Sequence, residues 1–152
     1  MRKKPSAHLI WAVIFLGVTI VFLGAFKIII VSGFSMAPKY HDGQALLMTR
    51  CANKVRYDDI IVIKQEDQGE VIKRVIGLPG DVINLKNGLV LRNDIILAPY
   101  TSDAEIEVVY VLGEDEYFVI GDNYQDSIDS RQFGPVTRDN LLGKIVSIDG
   151  LP

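Results

Sequence analysis

The chain changes character at one short stretch, Ser32-Gly33-Phe34-Ser35-Met36-Ala37-Pro38. Before it, residues 9–31 are almost entirely apolar and carry a single charge, Lys27. After it, short runs of β-branched and other apolar residues alternate with turn residues. The stretch therefore divides the chain into an apolar N-terminal segment and a domain of β type.

The apolar segment is long enough to cross a membrane, since a spanning helix needs roughly 20 residues. A cleavable signal peptide would be shorter and followed by a small-x-small site, and no clear Ala-x-Ala follows this run. The basic cluster Arg2-Lys3-Lys4 predicts that the tail, residues 1–8, is cytoplasmic. We therefore expect a single-pass, uncleaved transmembrane anchor over residues 9–31. A β-rich domain over residues 32–152 would then lie outside the cytoplasm.

The charge of that outer domain excludes one class of partner. From Ser32 onward, twelve basic residues face nineteen acidic ones, a net charge of −7. Nucleic-acid phosphates would be repelled by such a domain, so no nucleic acid is expected as a partner. The single Cys51 cannot form an internal disulfide.

The pattern after Pro38 predicts an all-β domain preceded by one transmembrane α-helix. Asn87-Gly88 between two apolar runs is a strong hairpin signal. The polar segment 98–107 is expected to be the least ordered. The predicted strands lie within residues 44–49, 60–63, 70–76, 82–85, 89–91, 106–112, 117–120 and 142–148.

Ser35 is the candidate nucleophile, because it follows the membrane segment closely and is flanked by the flexible Gly33. A serine hydroxyl needs a base to become nucleophilic. The chain has two histidines: His8 lies in the tail, and His41 belongs to an Asp-Gly turn. A Ser-His-Asp triad is therefore poorly supported.

A lysine can serve as that base if burial keeps it neutral, and Lys73 is the best placed for this. In a strand, Lys73 shares a face with Val71 and Val75, while Arg74 points to the other face. One of the two cations must then enter the core side. An edge strand with both cations in water is the alternative, and spacing alone leaves both open.

Residues 121–131 form a polar stretch that contains several acids. Calcium binding is not predicted, since Tyr124 stands where a ligand is needed and no glutamate closes the loop. We expect no metal or cofactor. An ion pair between Asp129 and Arg131 is one interpretation, and an ordinary surface turn is the other.

Three stretches in this order resemble the type I signal peptidases, the membrane-bound Ser/Lys endopeptidases that remove signal peptides. Residues 32–38 are similar to the nucleophile box of that family, residues 73–81 to its lysine box and residues 121–134 to its third box. The resemblance implies a signal-peptidase-like β-fold. It also implies cleavage of secretory preproteins after small-x-small sequences by a membrane-bound, monomeric enzyme in contact with lipid.

The resemblance also implies roles for individual residues. Ser35 would be the nucleophile, its N–H would donate to the oxyanion, and Lys73 would be the general base. The extended substrate would pair as a β-strand beside the site, with small side chains in shallow pockets.

Four further residues would support this pair. Ser127 would orient the lysine, Asp129 and Arg131 would form a structural ion pair near the site, and Met36 would pack against the lysine and exclude water.

The chain departs from the family pattern at a few positions. Gly33 stands where some members have a second oxyanion serine, Lys39 replaces a threonine, and Asp58-Asp59 replaces a Gly-Asp. These changes bear on substrate range, and a specialised peptidase is one interpretation. Two alternatives stay open: a self-cleaving protease related to the SOS repressors, and a catalytically silent relative that binds precursors or assists pilin assembly.

Overall fold

The structure is a computed structural model, and it describes residues 7–99 and 107–146. Two α-helices, one 3₁₀ turn and eleven strands follow one another along these residues. In chain order they are α1 (Ala7–Ala25), β1 (Phe26–Ile30), β2 (Ala45–Thr49), β3 (Ile60–Gln65), β4 (Gly69–Gly77), β5 (Val82–Lys86), β6 (Leu89–Arg92), β7 (Ile95–Pro99), β8 (Val108–Val111), β9 (Glu116–Ile120), α2 (Ser130–Phe133), β10 (Val136–Thr137), the 3₁₀ turn (Arg138–Asn140) and β11 (Leu141–Ile145).

The apolar N-terminal segment contains one helix that is long and apolar enough to cross a membrane. The span covers His8–Ala25, about 27 Å at the usual rise per residue. Its large apolar side chains are exposed in the isolated chain, as a lipid-facing helix requires. The predicted tail, residues 1–8, lies outside the described residues as far as residue 6.

The predicted anchor over residues 9–31 is corrected at its end, because the helix stops at Ala25 and the next five residues form β1. This strand pairs with β2 over its whole length, from Phe26 opposite Thr49 to Ile30 opposite Ala45. A run of isoleucines fits a strand as well as a membrane segment. The pairing with β2 decides between the two.

Arg50 joins the helix to the sheet. Its guanidinium donates to the carbonyls of Leu23 at 3.3 Å and Gly24 at 3.0 Å, and its backbone N–H donates to Ala25 at 2.8 Å. These bonds satisfy carbonyls that the last helical turn leaves unpaired. The helix therefore runs into the domain with no intervening linker.

The larger sheet has seven strands in the order β1-β2-β11-β3-β4-β9-β10, and every pair in it is antiparallel. Buried apolar residues from β1, β2, β3, β4 and β11 pack into one cluster. A second cluster on the other face of β3 and β4 includes residues of β9 and β10. Both faces of the central strands are thus covered, as their unbroken apolar runs predict.

The smaller sheet has four strands in the order β7-β6-β5-β8. The Asn87-Gly88 hairpin is confirmed between β5 and β6, with φ of 51° and 73° at the two turn residues. Asp81 fixes the start of β5, because it accepts hydrogen bonds from Tyr57 and Asn93 and from the Leu78 N–H.

The expected all-β domain behind one apolar helix is confirmed. Strands β1, β7 and β10 were not predicted. In the segment 98–107, expected to be the least ordered, residues 100–106 lie outside the described residues, whereas Ala98 and Pro99 end β7. Residues 106 and 147–148, which two of the predicted strands include, also lie outside them.

Candidate active site

The three stretches that the sequence analysis selected line one open cleft of about 760 Å³. The first stretch contributes Ser35 and Met36, strand β4 contributes Lys73, and the third stretch contributes Ser127. The remaining walls come from β1 and from the start of β4. The structure therefore brings together residues that are far apart in the chain.

Ser35 lies in a tight turn that follows β1. Gly33 adopts a φ of +86°, which side chains rarely tolerate, and its N–H donates to the Asp42 carboxylate at 2.8 Å. A serine at this position would be strained, so the absence of a hydroxyl there is consistent with the backbone. No acceptor for the Ser35 N–H lies among the described residues.

The third stretch holds the Ser35 turn in place. The Asn123 N–H donates to the Ser35 carbonyl at 3.0 Å, and the Asn123 side-chain amide donates to the Phe34 carbonyl at 3.3 Å. A side chain at Gly121 would overlap the Ser35 carbonyl and the Ser127 hydroxyl. Glycine at 121 is therefore what permits this close approach.

Lys73 is the buried cation of β4. It lies in register with Ile61 of β3 and retains only 2% of its surface. Arg74 points to the opposite face and makes two 2.6 Å hydrogen bonds to Asp122. The alternative of an edge strand with both cations in water is therefore wrong.

Burial sets the protonation of Lys73. Desolvation lowers the pKa of its ammonium below the ordinary value, Asp129 acts in the opposite direction, and Arg131 adds to the lowering. The ammonium makes no hydrogen bond to any of residues 7–99 and 107–146. A lysine whose pKa is lowered in this way is better suited than an exposed lysine to accept a proton.

Asp129 and Arg131 form a buried ion pair beside the cleft. Their side chains are 0% and 1% exposed, and Arg131 donates to the two carboxylate oxygens from Nε at 2.8 Å and from a terminal nitrogen at 2.9 Å. Arg131 also donates to the carbonyls of Tyr124 and Ser127. The predicted ion pair is confirmed, and the surface-turn alternative is wrong.

Ser127 and Met36 line the same cleft as Lys73. The Ser127 hydroxyl donates to Asp129 at 2.7 Å, so its oxygen keeps lone pairs that can accept a hydrogen bond from Lys73. Met36 is 1% exposed and belongs to the cluster inside the larger sheet. Their action on Lys73 stays a prediction.

Sequence reasoning missed the contacts of Asn123 and Gly121 with the Ser35 turn. The run Gly121-Asp122-Asn123 was noted, but nothing local indicates that it touches a turn almost ninety residues earlier.

His41 is exposed. Within the described residues, no group of three or more His, Cys, Asp or Glu could hold a metal ion.

Comparison with known proteins gives consistent matches. The family model described as "Signal peptidase, peptidase S26" matches residues 6–148. Signal peptidase I P of Bacillus subtilis subsp. natto is 33% identical over 93% of this chain and 88% of its own. Signal peptidase I of Bacillus caldolyticus is 34% identical over 95% and 90%. A crystal structure of a signal peptidase I from Enterococcus faecalis V583 is 26% identical over 62% of this chain and 97% of its own, with a TM-score of 0.48.

Proposed function

The chain belongs to the signal peptidase family, peptidase S26, and we propose that Ser35 and Lys73 are the nucleophile and the general base of its reaction. The chain is a membrane-anchored serine endopeptidase that removes signal peptides from secretory preproteins. The proposal rests on one observation above all. Ser35 and Lys73 line the same cleft, and Lys73 is buried with a lowered pKa.

The first half of the reaction forms an acyl-enzyme. The Ser35 hydroxyl oxygen attacks the carbonyl carbon of the scissile peptide bond while its proton passes to the neutral Lys73 amine. The Ser35 N–H donates to the oxygen that becomes negatively charged. When the C–N bond breaks, the Lys73 ammonium returns the proton to the leaving amine, which departs as the new N-terminus of the mature protein.

The second half releases the signal peptide. Lys73, neutral again, takes a proton from water, and the resulting hydroxide attacks the ester carbonyl. The ester bond breaks, the proton returns to the Ser35 oxygen, and the signal peptide leaves with a free carboxyl group. Ser127 accepts a hydrogen bond from Lys73 and so fixes its direction, while Met36 keeps water from solvating the amine.

The orientation of the chain in the membrane is part of the same proposal. Helix α1 lies in lipid with the N-terminus in the cytoplasm, and the β domain lies outside it. One chain supplies Ser35, Lys73 and Ser127, which supports a monomeric enzyme. The family match favours this function over an SOS-type repressor and over a silent factor for pilin assembly.

The test is cleavage of a preprotein in detergent by the wild type and by Ser35→Ala. We expect Ser35→Ala to yield no product above the uncatalysed level, because the attacking oxygen is absent. Ser32→Ala is the matched control, and it should cleave like the wild type. Mass spectrometry of the product N-terminus identifies the bond that is cut. Equal processing by the wild type and Ser35→Ala would remove Ser35 from the mechanism.

A further inference from the structure

The cleft lies between two strand edges that have no partner strand along this stretch, among the described residues. Strand β1 ends the larger sheet and pairs with β2 alone. Strand β4 pairs with β3 from Gly69 to Arg74, but its pairing with β9 starts at Arg74. Residues 70–73 of β4 thus keep a free edge. Both free edges line the cleft that contains Ser35.

One ion pair joins these two edges. Lys27 Nζ lies 2.8 Å and 2.9 Å from the two carboxylate oxygens of Glu70. Three strands, β2, β11 and β3, separate β1 from β4 within the sheet. The sheet must therefore curl for the two residues to meet. Between the free edges of β1 and β4 this curling leaves a gap, and the ion pair spans it.

The gap suits a single extended chain. A strand bonded to both edges holds them about 10 Å apart, twice the usual spacing. Lysine and glutamate side chains that reach toward each other can cover such a distance. The side chains of a strand project away from the plane of its backbone. The contact between Lys27 and Glu70 therefore lies above a substrate strand that occupies the space between β1 and β4.

The position of the Lys27–Glu70 ion pair along the cleft follows from the sequence. Lys27 is two residues beyond the end of α1 at Ala25 and five residues before Ser32, where the Ser35 turn begins. The ion pair therefore stands at the membrane end of the cleft, about 16 Å from the Ser35 turn at 3.3 Å per residue. That distance equals about five residues of an extended substrate.

We propose that the Lys27–Glu70 ion pair is a specificity-determining bar across the membrane end of the substrate cleft, which selects against large side chains about five residues before the cut. The proposal rests on the proposed function of the cleft. A small substrate side chain at this position fits beneath the Lys27–Glu70 ion pair. A large one on the same face has to break the ion pair, so its binding is weakened by the strength of that pair.

The expected effect is modest, since Lys27 and Glu70 side chains are 38% and 46% exposed. An exposed pair of this kind changes an equilibrium by about two- to fivefold. The effect should also alternate with substrate position, because successive side chains of a strand point to opposite faces.

The experiment measures binding rather than cleavage, so that it does not depend on the catalytic roles. Full-length Ser35→Ala protein in detergent is titrated with synthetic preprotein peptides that carry alanine or tryptophan at each position from four to six before the cut. We expect tryptophan to weaken binding about two- to fivefold at one of these positions or at two that share a face. Adding Glu70→Gln should abolish the difference, and the exchange Lys27→Glu with Glu70→Lys should restore it.

Glu107→Gln is the matched control. It breaks the ion pair of Lys86 with Glu107, which has similar exposure, 46% and 45%, and belongs to the smaller sheet. It should leave the tryptophan effect unchanged. The proposal is overturned if the Ser35→Ala protein binds both peptide sets equally, if Glu70→Gln leaves the difference in place, or if Glu107→Gln removes it as well. The catalytic assignment is decided separately by cleavage with Ser35→Ala.

Discussion

Lys73 and Arg131 are two buried basic residues beside the same cleft, 2% and 4% exposed, and their hydrogen bonding differs. Arg131 makes paired hydrogen bonds to the Asp129 carboxylate and further bonds to backbone carbonyls. Lys73 has apolar neighbours on its face of β4 and no hydrogen-bond partner for its ammonium among the described residues. The charge of Arg131 is compensated by direct hydrogen bonds to a carboxylate, and Lys73 makes no such bond to any described residue.

The difference separates structure from chemistry. Guanidinium does not lose its proton in proteins, so a buried arginine has to be paired. A lysine can lose its proton, and burial without a partner makes that loss easier. A permanent charge thus lies in the hydrogen-bonded ion pair, and a removable one lies at the position proposed for the general base.

The largest effect is expected from removing the uncompensated cation. Lys73→Met should lower kcat/KM by about 10³-fold or more, because the proposed general base is lost. Its melting temperature should stay the same or rise, because a buried amine with no hydrogen-bond partner among the described residues is replaced by an apolar side chain of similar length. Lys73→Arg should be equally inactive, since its charge cannot be removed.

Preprotein cleavage and thermal unfolding, measured on the same samples, test this expectation. Lys64→Met, on the exposed part of β3, is the control and should retain activity. A Lys73→Met protein that cleaves at the wild-type rate would refute the assignment of the base.

The compensated cation should show the opposite behaviour. Arg131→Met leaves Asp129 charged, buried and unpaired, and should cost about 3–5 kcal/mol of unfolding free energy. Denaturant unfolding in detergent measures this. Adding Asp129→Asn should recover part of the loss, because the orphaned charge is then gone.

Lys144→Met provides the matched control for Arg131→Met. It breaks a more exposed pair with Asp59, 30% and 15% exposed, and should cost about 1 kcal/mol or less. If Arg131→Met were no more destabilising than Lys144→Met, the burial of the Asp129–Arg131 pair would have little structural value.

Much of this contrast could be predicted from the sequence, but not all of it. Alternation along a strand places Lys73 with Val71 and Val75, and the structure confirms that face. The burial of this face depends on β9 and β10, which pack against it from over forty residues later in the chain. Local pattern cannot supply that information, and so spacing alone left the alternative of an exposed edge strand open.

The predicted end of the membrane anchor was wrong for a related reason. Residues 28–31 are apolar and β-branched, which suits a membrane segment and a strand equally well. Their partner is β2, some twenty residues away, and only that pairing shows where the helix ends. The contact of Asn123 with Ser35 is likewise long-range. Sequence motifs predict the residues of the candidate site, and tertiary packing decides which of them touch.

A pH dependence of the reaction tests the protonation state of Lys73 directly. Burial lowers the pKa of Lys73 below its ordinary value of 10.5, Asp129 opposes this and Arg131 adds to it. The amine has to be neutral to accept the Ser35 proton. The kcat/KM of the wild type should therefore fall as pH drops through this lowered pKa, by about tenfold per pH unit once the lysine is protonated. A profile that stays flat into mildly acidic solution contradicts the mechanism.

The same shift has a consequence for folding that does not involve catalysis. Between the lowered pKa and 10.5, the unfolded chain keeps a proton on Lys73 that the folded protein has lost. Stability must then rise with pH across that window, because the unfolded state binds more protons. Lys73→Met lacks the titrating group, so its unfolding free energy should rise less with pH than that of the wild type over this window. Parallel stability curves for the two proteins would mean that Lys73 titrates alike in both states, and the contrast with Arg131 would lose its electrostatic basis.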